Sequence, residues 1–121
     1  MSAPEEDYPY ATLEKDGYEL EAVELENWQD QGFLEEPVPS DDERFSVEEG
    51  DIVKLIFHYA KPLKVQGKSF DAEHMWVVVT SNDKGYLTGF LDNEPHYTKL
   101  LAPGQELTFH PEHIVAIWRG E

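Results

Sequence analysis

Cysteine is absent from the 121-residue sequence. Without a thiol, the chain has no disulfide, no thiolate nucleophile and no cysteine-based zinc or iron–sulfur site. Its serines stand in polar or N-terminal stretches, and neither the G-x-S-x-G motif of serine hydrolases nor a glycine-rich phosphate-binding loop occurs. These absences argue against covalent catalysis and phosphate chemistry. We therefore predict no catalytic residue and no cofactor.

Long apolar runs are absent too. No stretch approaches the roughly 20 apolar residues that a membrane-spanning helix needs. The N-terminal segment MSAPEEDYPYATLEKDG is acidic and lacks the apolar core of a signal peptide. We therefore expect a soluble, cytoplasmic protein without a membrane partner.

Positive charge is scarce. The sequence has 9 Lys and Arg against 26 Asp and Glu, a formal net charge of −17. The imbalance is local, since residues 1–50 hold 17 acidic and 2 basic residues, whereas residues 51–121 hold 9 and 7. Such a field repels nucleic acids and anionic membranes and attracts a basic protein. The charge therefore predicts a basic partner and no nucleic acid, with an acidic surface that only maintains solubility as the alternative.

The rest of the composition suits a single globular domain, with 40% hydrophobic residues and six Phe, six Tyr and three Trp. We place an acidic N-terminal extension at residues 1–44, packed on a β body at residues 45–121. Residues 52–59 alternate between apolar and polar like a strand. Residues 61–71 suggest a basic, glycine-containing loop. Residues 73–81 are apolar on both faces, which predicts a central strand covered on two sides.

Glycines mark the predicted turns and bends. The tetrapeptide NDKG at residues 82–85 has the length and chemistry of a hairpin turn. Gly89, inside the next strand, predicts a bulge or tight bend, and Gly50 and Gly104 each supply a tight turn before a strand. Together these features predict an α+β, mainly β fold with a strongly bent five-stranded sheet. An SH3-like barrel is the first choice and an OB-like barrel the second.

Residues 18–32 carry two competing periodicities. Tyr18, Leu20 and Ala22 alternate as in a strand, whereas the apolar residues that follow, ended by Gly32, suit a helix. We favour a helix over residues 20–31 that packs over one side of the sheet.

Three of the five histidines fall within residues 85–113, close to several carboxylates. His110 and His113 stand three residues apart, but Pro111 disfavours the helix that would place both rings on one face. The spacing also differs from the helical zinc-hydrolase signature. We predict no metal site. Instead, we expect His113 to satisfy backbone groups at a corner between a strand and a turn.

The DNEP segment at residues 92–95 has two interpretations. Asp, Asn and Pro are turn formers, and this interpretation is the one we favour. Carboxylates in a desolvated pocket can also act as general acids or bases. In that alternative the protein binds a small molecule, or is a weak enzyme, through an edge formed by Asn93, His96 and His113.

Four aromatic residues follow the strand pattern of the β body: Trp76, Tyr86, Phe90 and Trp118. They could form a stacking platform for single-stranded nucleic acid, but the surrounding negative charge opposes that function. Aromatics spaced by two are typical of a β core. We interpret them as core residues.

The β body contains four ordered motifs. They are G-D-x-V-K-L-x-F at residues 50–57, E-x-M-W-V at 73–77, G-x-L-D-N-x-P at 89–95, and G-x-x-L-x-F at 104–109, followed by His113 and an apolar strand. In this order they resemble the domain of unknown function 2314 family of small bacterial proteins. The resemblance covers residues 45–118, and His74 stands where many relatives carry Arg. It implies no settled activity, and the occurrence of related domains near bacterial toxin systems implies an immunity-type role by association.

The function we predict is a non-catalytic protein-binding module, of the immunity type, that binds a basic partner. The acidic N-terminal half would steer the encounter, and an exposed aromatic residue would anchor it. The candidate binding residues are Trp28, Phe33, Asn93, Glu94, His96 and His113.

Overall fold

The computed structural model describes residues 10–23, 38–95, 98 and 100–118. Within these ranges the elements are, in chain order, helix α1 (Leu13–Asp16), strand β1 (Tyr18–Leu20), helix α2 (Asp41–Phe45), strands β2 (Ile52–Val65), β3 (Lys68–Asp83), β4 (Tyr86–Leu91) and β5 (Glu106–Phe109), a 3₁₀ turn (Pro111–His113) and strand β6 (Ile114–Ile117). None of the described helices is long and apolar enough to cross a membrane.

The strands form one antiparallel sheet in the order β1-β2-β3-β4-β5, and β6 also pairs with β2. The first half of β2 pairs with β6 and the following residues 57–59 pair with β1, so both short strands lie along the same edge of β2. Register shifts interrupt the pairing of β2 with β3, β2 with β6 and β3 with β4. The sheet therefore curls strongly, and the predicted mainly β, bent-sheet fold is confirmed.

Two tight turns build the central hairpins. At Lys84 and Gly85, φ is 55° and 95°, which are the positive values of a two-residue hairpin turn. The hairpin predicted at residues 82–85 is therefore confirmed. Gln66 and Gly67 make a second such turn, with φ of 51° and 82°. The loop predicted at residues 61–71 is wrong, because β2 and β3 continue up to this turn.

Gly89 lies at a β-bulge. Val79 pairs with Gly89 and Ser81 with Thr88, so one extra residue is inserted in β3. A Cβ atom added to Gly89 would lie 2.4 Å from the carbonyl oxygen of Val78. Only a residue without a side chain permits this close approach of β3 and β4, which confirms the predicted bend.

One face of the curled sheet encloses the main core. Alternate residues of β2, including Val53, Leu55 and Phe57, are fully buried there, together with Leu87 and Phe109 from β4 and β5. This face follows the period of two that a pleated strand imposes. A second, smaller cluster contains Val23, Val38, Ile56 and Val115. It covers one end of the opposite, outer face, because Ile56 alternates with the inward residues of β2.

Arg44 joins the described parts of the N-terminal region to the β body. It is fully buried, and its Nη1 donates to the backbone carbonyls of Val23, Glu112 and Ile114 at 3.0–3.2 Å. Its Nη2 donates to Asp41 Oδ1 at 2.7 Å. A buried guanidinium needs such partners to offset its desolvation. The charge of Arg44 therefore has a structural use at the corner between α2 and β6.

The helix predicted over residues 20–31 is wrong where the structure describes it. Leu20 ends strand β1, which pairs with β2 through Tyr18–Tyr59 and Leu20–Phe57, and residues 21–23 are not helical. This segment forms a strand and not a helix because Leu20 packs into the main core. The rest of the predicted helix lies outside the described residues.

Candidate functional site

The outer face of the sheet carries a continuous apolar row. Ile52 pairs with Val78, Val78 pairs with Phe90, and the backbone amide of Trp118 donates to Ile52 O at 2.8 Å. These four residues therefore lie side by side, three of them in β2, β3 and β4 and Trp118 directly after β6. With Trp76 they form a surface that we call the outer apolar patch (Ile52, Trp76, Val78, Phe90 and Trp118).

The outer apolar patch is accessible. Trp118 is 48% exposed and Phe90 is 38% exposed, while the other three members are partly buried. The expectation that strand 73–81 is covered on both faces is therefore wrong. Met75, Val77 and Val79 fill the core on the inner face, but Trp76 and Val78 point outward.

The interpretation of the four aromatic residues as core is wrong as well. Tyr86 is 44% exposed and lies, like Phe90, on the outward phase of β4. Leu87, Gly89 and Leu91 take the inward phase of that strand. The predicted alternation along β4 is present, but its aromatic side chains lie on the outer face of the sheet and not in the core.

A cleft of about 290 Å³ opens within the patch, lined by Ile52, Trp76, Asp92 and Trp118. The ammonium of Lys54, which is the cross-strand partner of Trp76, lies 4.8 Å from the centroid of the Trp76 ring. At this distance the electron-rich face of an indole attracts a cation. The cleft thus combines two indoles with one carboxylate.

Carboxylates border the patch on its β4 and β5 side. The backbone amide of Asp92 donates to Trp76 O at 2.9 Å, which places Asp92 beside Trp76 on the same row. Glu106 pairs with Phe90, so this carboxylate lies next to the β4 end of the apolar row. Both acidic residues are exposed. An apolar centre with a charged rim is the general organisation of a protein interface.

Asn93 and Glu94 lie next to this patch. Asn93 Oδ1 accepts a hydrogen bond from the backbone amide of Trp76, which fixes the chain leaving β4 against β3. The bond crosses to the neighbouring strand, whereas the side chain of a turn-forming Asn bonds to backbone within its own turn. Glu94 follows in an exposed position. The described lining of the cleft includes neither residue: Asn93 holds the chain beside it, and Glu94 is the next residue along the chain.

His113 lies in a buried corner. It is 3% exposed, its Nδ1 accepts from the backbone amide of His110 at 2.9 Å, and Tyr10 packs edge-on against its ring at 5.2 Å. Burial first, and the nearby His110 second, lower the pKa of His113 to about 4. The ring is therefore neutral at pH 7, and its acceptor nitrogen holds the 3₁₀ turn in place, as the sequence predicted for this residue.

The histidine edge does not come together in the described part of the chain. His110 also uses Nδ1 to accept a backbone amide, that of Glu112, at 3.1 Å. Asn93 follows β4 beside the start of β5, whereas His113 follows the end of β5, so the two residues lie at opposite ends of the antiparallel β4–β5 pair. Among the described residues no group of three or more His, Cys, Asp or Glu is placed to hold a metal ion.

Three of the predicted binding residues lie outside the described residues: Trp28, Phe33 and His96. Their binding roles stay predictions.

A buried polar pair closes one end of the inner core. The Tyr59 hydroxyl donates to Glu73 Oε1 at 2.7 Å, and both side chains are more than nine-tenths buried. Burial and this hydrogen bond raise the pKa of Tyr59. Because the tyrosine stays protonated and donating, the pair is a satisfied core contact.

A family described as "Uncharacterized protein conserved in bacteria (DUF2314)" matches residues 30–119, most of the chain. The chain belongs to this family. The resemblance drawn from the four motifs is thereby confirmed, and the match includes the whole outer apolar patch with Lys54 and Asp92. No curated protein and no solved structure matches the chain.

Proposed function

We propose that this DUF2314 protein is a non-catalytic protein-binding module that docks a basic protein on its outer apolar patch. More specifically, we propose an immunity-type function, in which the protein neutralises a toxin by binding its basic domain. The observation that carries the proposal is the apolar row of Trp118, Ile52, Val78 and Phe90, whose two end members are exposed.

The apolar character of the patch supports docking of a protein. Exposed apolar surface that is contiguous and bordered by polar residues marks interaction sites more often than isolated exposed side chains do. Trp is also the residue type most enriched among those that dominate binding energy. The patch contains two of them, Trp76 and Trp118, and one is nearly half exposed.

The charge of the chain supports a basic partner. The net charge is −17, and the carboxylates of Asp92 and Glu106 border the patch. Such a field accelerates encounter with a cationic surface, and the effect weakens as salt screens it.

The test compares the wild-type chain with two matched variants. Phe90→Ser removes an exposed apolar residue inside the patch, and Leu13→Ser removes one of equal exposure, 38%, outside it. Each purified protein is used to capture proteins from a bacterial extract at about 0.05 M and about 0.5 M NaCl.

We expect a basic protein that is retained by the wild type and by Leu13→Ser at low salt, released at high salt, and lost with Phe90→Ser. Capture that is equal for all three proteins, or indifferent to salt, would contradict the proposal.

A further inference from the structure

We propose that the cleft of the outer apolar patch binds an arginine side chain of the partner. This inference rests on the proposed function and adds the chemistry of the group that is recognised. The inference rests on one cleft that is lined by two indoles and a carboxylate, with the residues Ile52, Trp76, Asp92 and Trp118.

The lining matches each part of an arginine side chain. The planar guanidinium stacks on aromatic rings, and the indoles of Trp76 and Trp118 both line the cleft. A carboxylate pairs with it through two parallel hydrogen bonds, and Asp92 is the carboxylate of the cleft. The apolar stem of arginine packs on apolar surface, which Ile52 provides.

Lys54 shows that the Trp76 ring already attracts a cation. Its ammonium lies 4.8 Å from the ring centroid. The same ammonium is a like charge for an incoming guanidinium, so it opposes arginine binding. Asp92, which lines the cleft, and Glu106, which pairs with Phe90, are both exposed and oppose the effect of this ammonium.

Arginine is favoured over lysine for a geometrical reason. An ammonium is compact and strongly hydrated, whereas a guanidinium is flat, weakly hydrated and able to bind a carboxylate and an indole at once. The cleft presents both partners together. We therefore expect a neutral isostere of the guanidinium to bind more weakly than arginine, and lysine to lie between them.

The experiment uses three short peptides and the full chain. The peptides are acetyl-Gly-X-Gly-amide with arginine, lysine or citrulline at X, where citrulline keeps the shape of arginine without its charge. Binding is followed through the NMR signals of the indole N–H groups of Trp76 and Trp118. The proteins are wild type, Asp92→Asn, Lys54→Met and, as a matched control, Asp83→Asn, which changes an exposed carboxylate at the far end of β3.

We expect the arginine peptide to bind the wild type about threefold to fivefold more tightly than the citrulline peptide, as for an exposed charge pair. Asp92→Asn removes this preference and Asp83→Asn keeps it. Lys54→Met strengthens arginine binding, because it removes the like charge.

Equal binding of arginine and citrulline by the wild type would overturn the inference, as would an unchanged preference in Asp92→Asn or weaker arginine binding by Lys54→Met. None of these results touches the capture experiment with Phe90→Ser. If capture of a basic partner still depended on Phe90, the patch would dock a basic protein without recognising an arginine side chain in the cleft.

Discussion

Among the described glycines, Gly89 is the one at which an added Cβ atom would be most crowded. A Cβ atom there would lie 2.4 Å from Val78 O and 2.9 Å from Val77 Cγ1, and the first of these is backbone that cannot turn aside. We expect Gly89→Ala to destabilise the fold by about 1–3 kcal/mol through overpacking. Urea unfolding measures this loss.

Gly50→Ala is the comparison that separates crowding from backbone strain. Gly50 has a φ of 95° with nothing within 4 Å of an added Cβ, so only its conformation resists a side chain. We expect a cost of about 1–2 kcal/mol there. A neutral Gly89→Ala would show that β3 and β4 do not approach as closely as the structure places them.

Truncation of Trp76 tests whether its side chain is partly exposed on the outer face or buried in the core. From the sequence it is a core residue, whose truncation costs about 3–5 kcal/mol. In the structure its ring is partly exposed beside Lys54. We therefore expect Trp76→Ala to cost about 1–2 kcal/mol, and the fully buried Phe57→Ala to cost the larger amount. Equal losses in urea unfolding would place Trp76 in the core after all.

His113 makes stability depend on pH. Its pKa is about 4 in the folded chain, against an ordinary value of 6.5, because burial disfavours the charged ring. Between these values the unfolded chain binds more protons, so stability falls as the pH falls from 6.5 to 4. At 1.36 kcal/mol per unit the loss is about 3 kcal/mol.

Unfolding of the wild type and His113→Gln at pH 7.5, 6.5, 5.5 and 4.5 checks this dependence. Carboxylates titrate in the same range, so the measurement is the difference between the two proteins. From pH 7.5 to pH 4.5 we expect the stability advantage of the wild type to shrink by about 2.5 kcal/mol, which is most of the full loss. A difference that is independent of pH would contradict the burial of a neutral ring.

Among the elements, the two hairpin turns follow from local chemistry. Both place a non-glycine residue, Gln66 or Lys84, at positive φ before a glycine. Asn adopts this conformation more readily than other side-chain residues, and Asn-Gly is the preferred pair. We expect Gln66→Asn to stabilise the fold by about 0.5–1 kcal/mol. Gln105→Asn, at another exposed position without positive φ, should be neutral. A loss of stability with Gln66→Asn would contradict the turn conformation.

What the sequence predicted about the elements depended on how local their causes are. The turn at residues 82–85 and the bend at Gly89 were predicted because glycine chemistry acts within a few residues. The turn at Gln66 was missed since it lies in a lysine-rich stretch with Pro62, which suggests a loop. Strand β1 has three residues, and only its pairing with Tyr59 and Phe57 across the sheet distinguishes it from a helix start.

The candidate site was harder to predict for a related reason. Alternation along β3 and β4 shows that each strand has two faces, but it does not say which face is covered. Trp76 and Phe90 look like core residues until the register shows that Leu87, Met75 and their neighbours already fill the interior. Asn93 was found because DNEP marks a strand end, and its hydrogen bond to the Trp76 amide brings it to the patch.

At the scale of the whole molecule, 26 acidic residues against 9 basic ones give a net charge of −17. Charges of one sign repel each other most in the compact state, and salt screens this repulsion. We expect the stability of the fold to rise by about 1 kcal/mol between about 0.02 M and about 0.3 M NaCl. Binding of a basic partner should weaken over the same range, since it depends on the same charges with the opposite sign.

Charge variants connect the two effects. Replacing the exposed Glu48 and Glu49 by Gln removes two negative charges and should raise stability at low salt, whereas Lys68→Gln removes a positive charge and should lower it. Urea unfolding at both salt concentrations measures each change, and both changes should shrink at the higher one. Lower stability at high salt, with no response to these substitutions, would mean that local ion pairs such as Arg44–Asp41 outweigh the net charge.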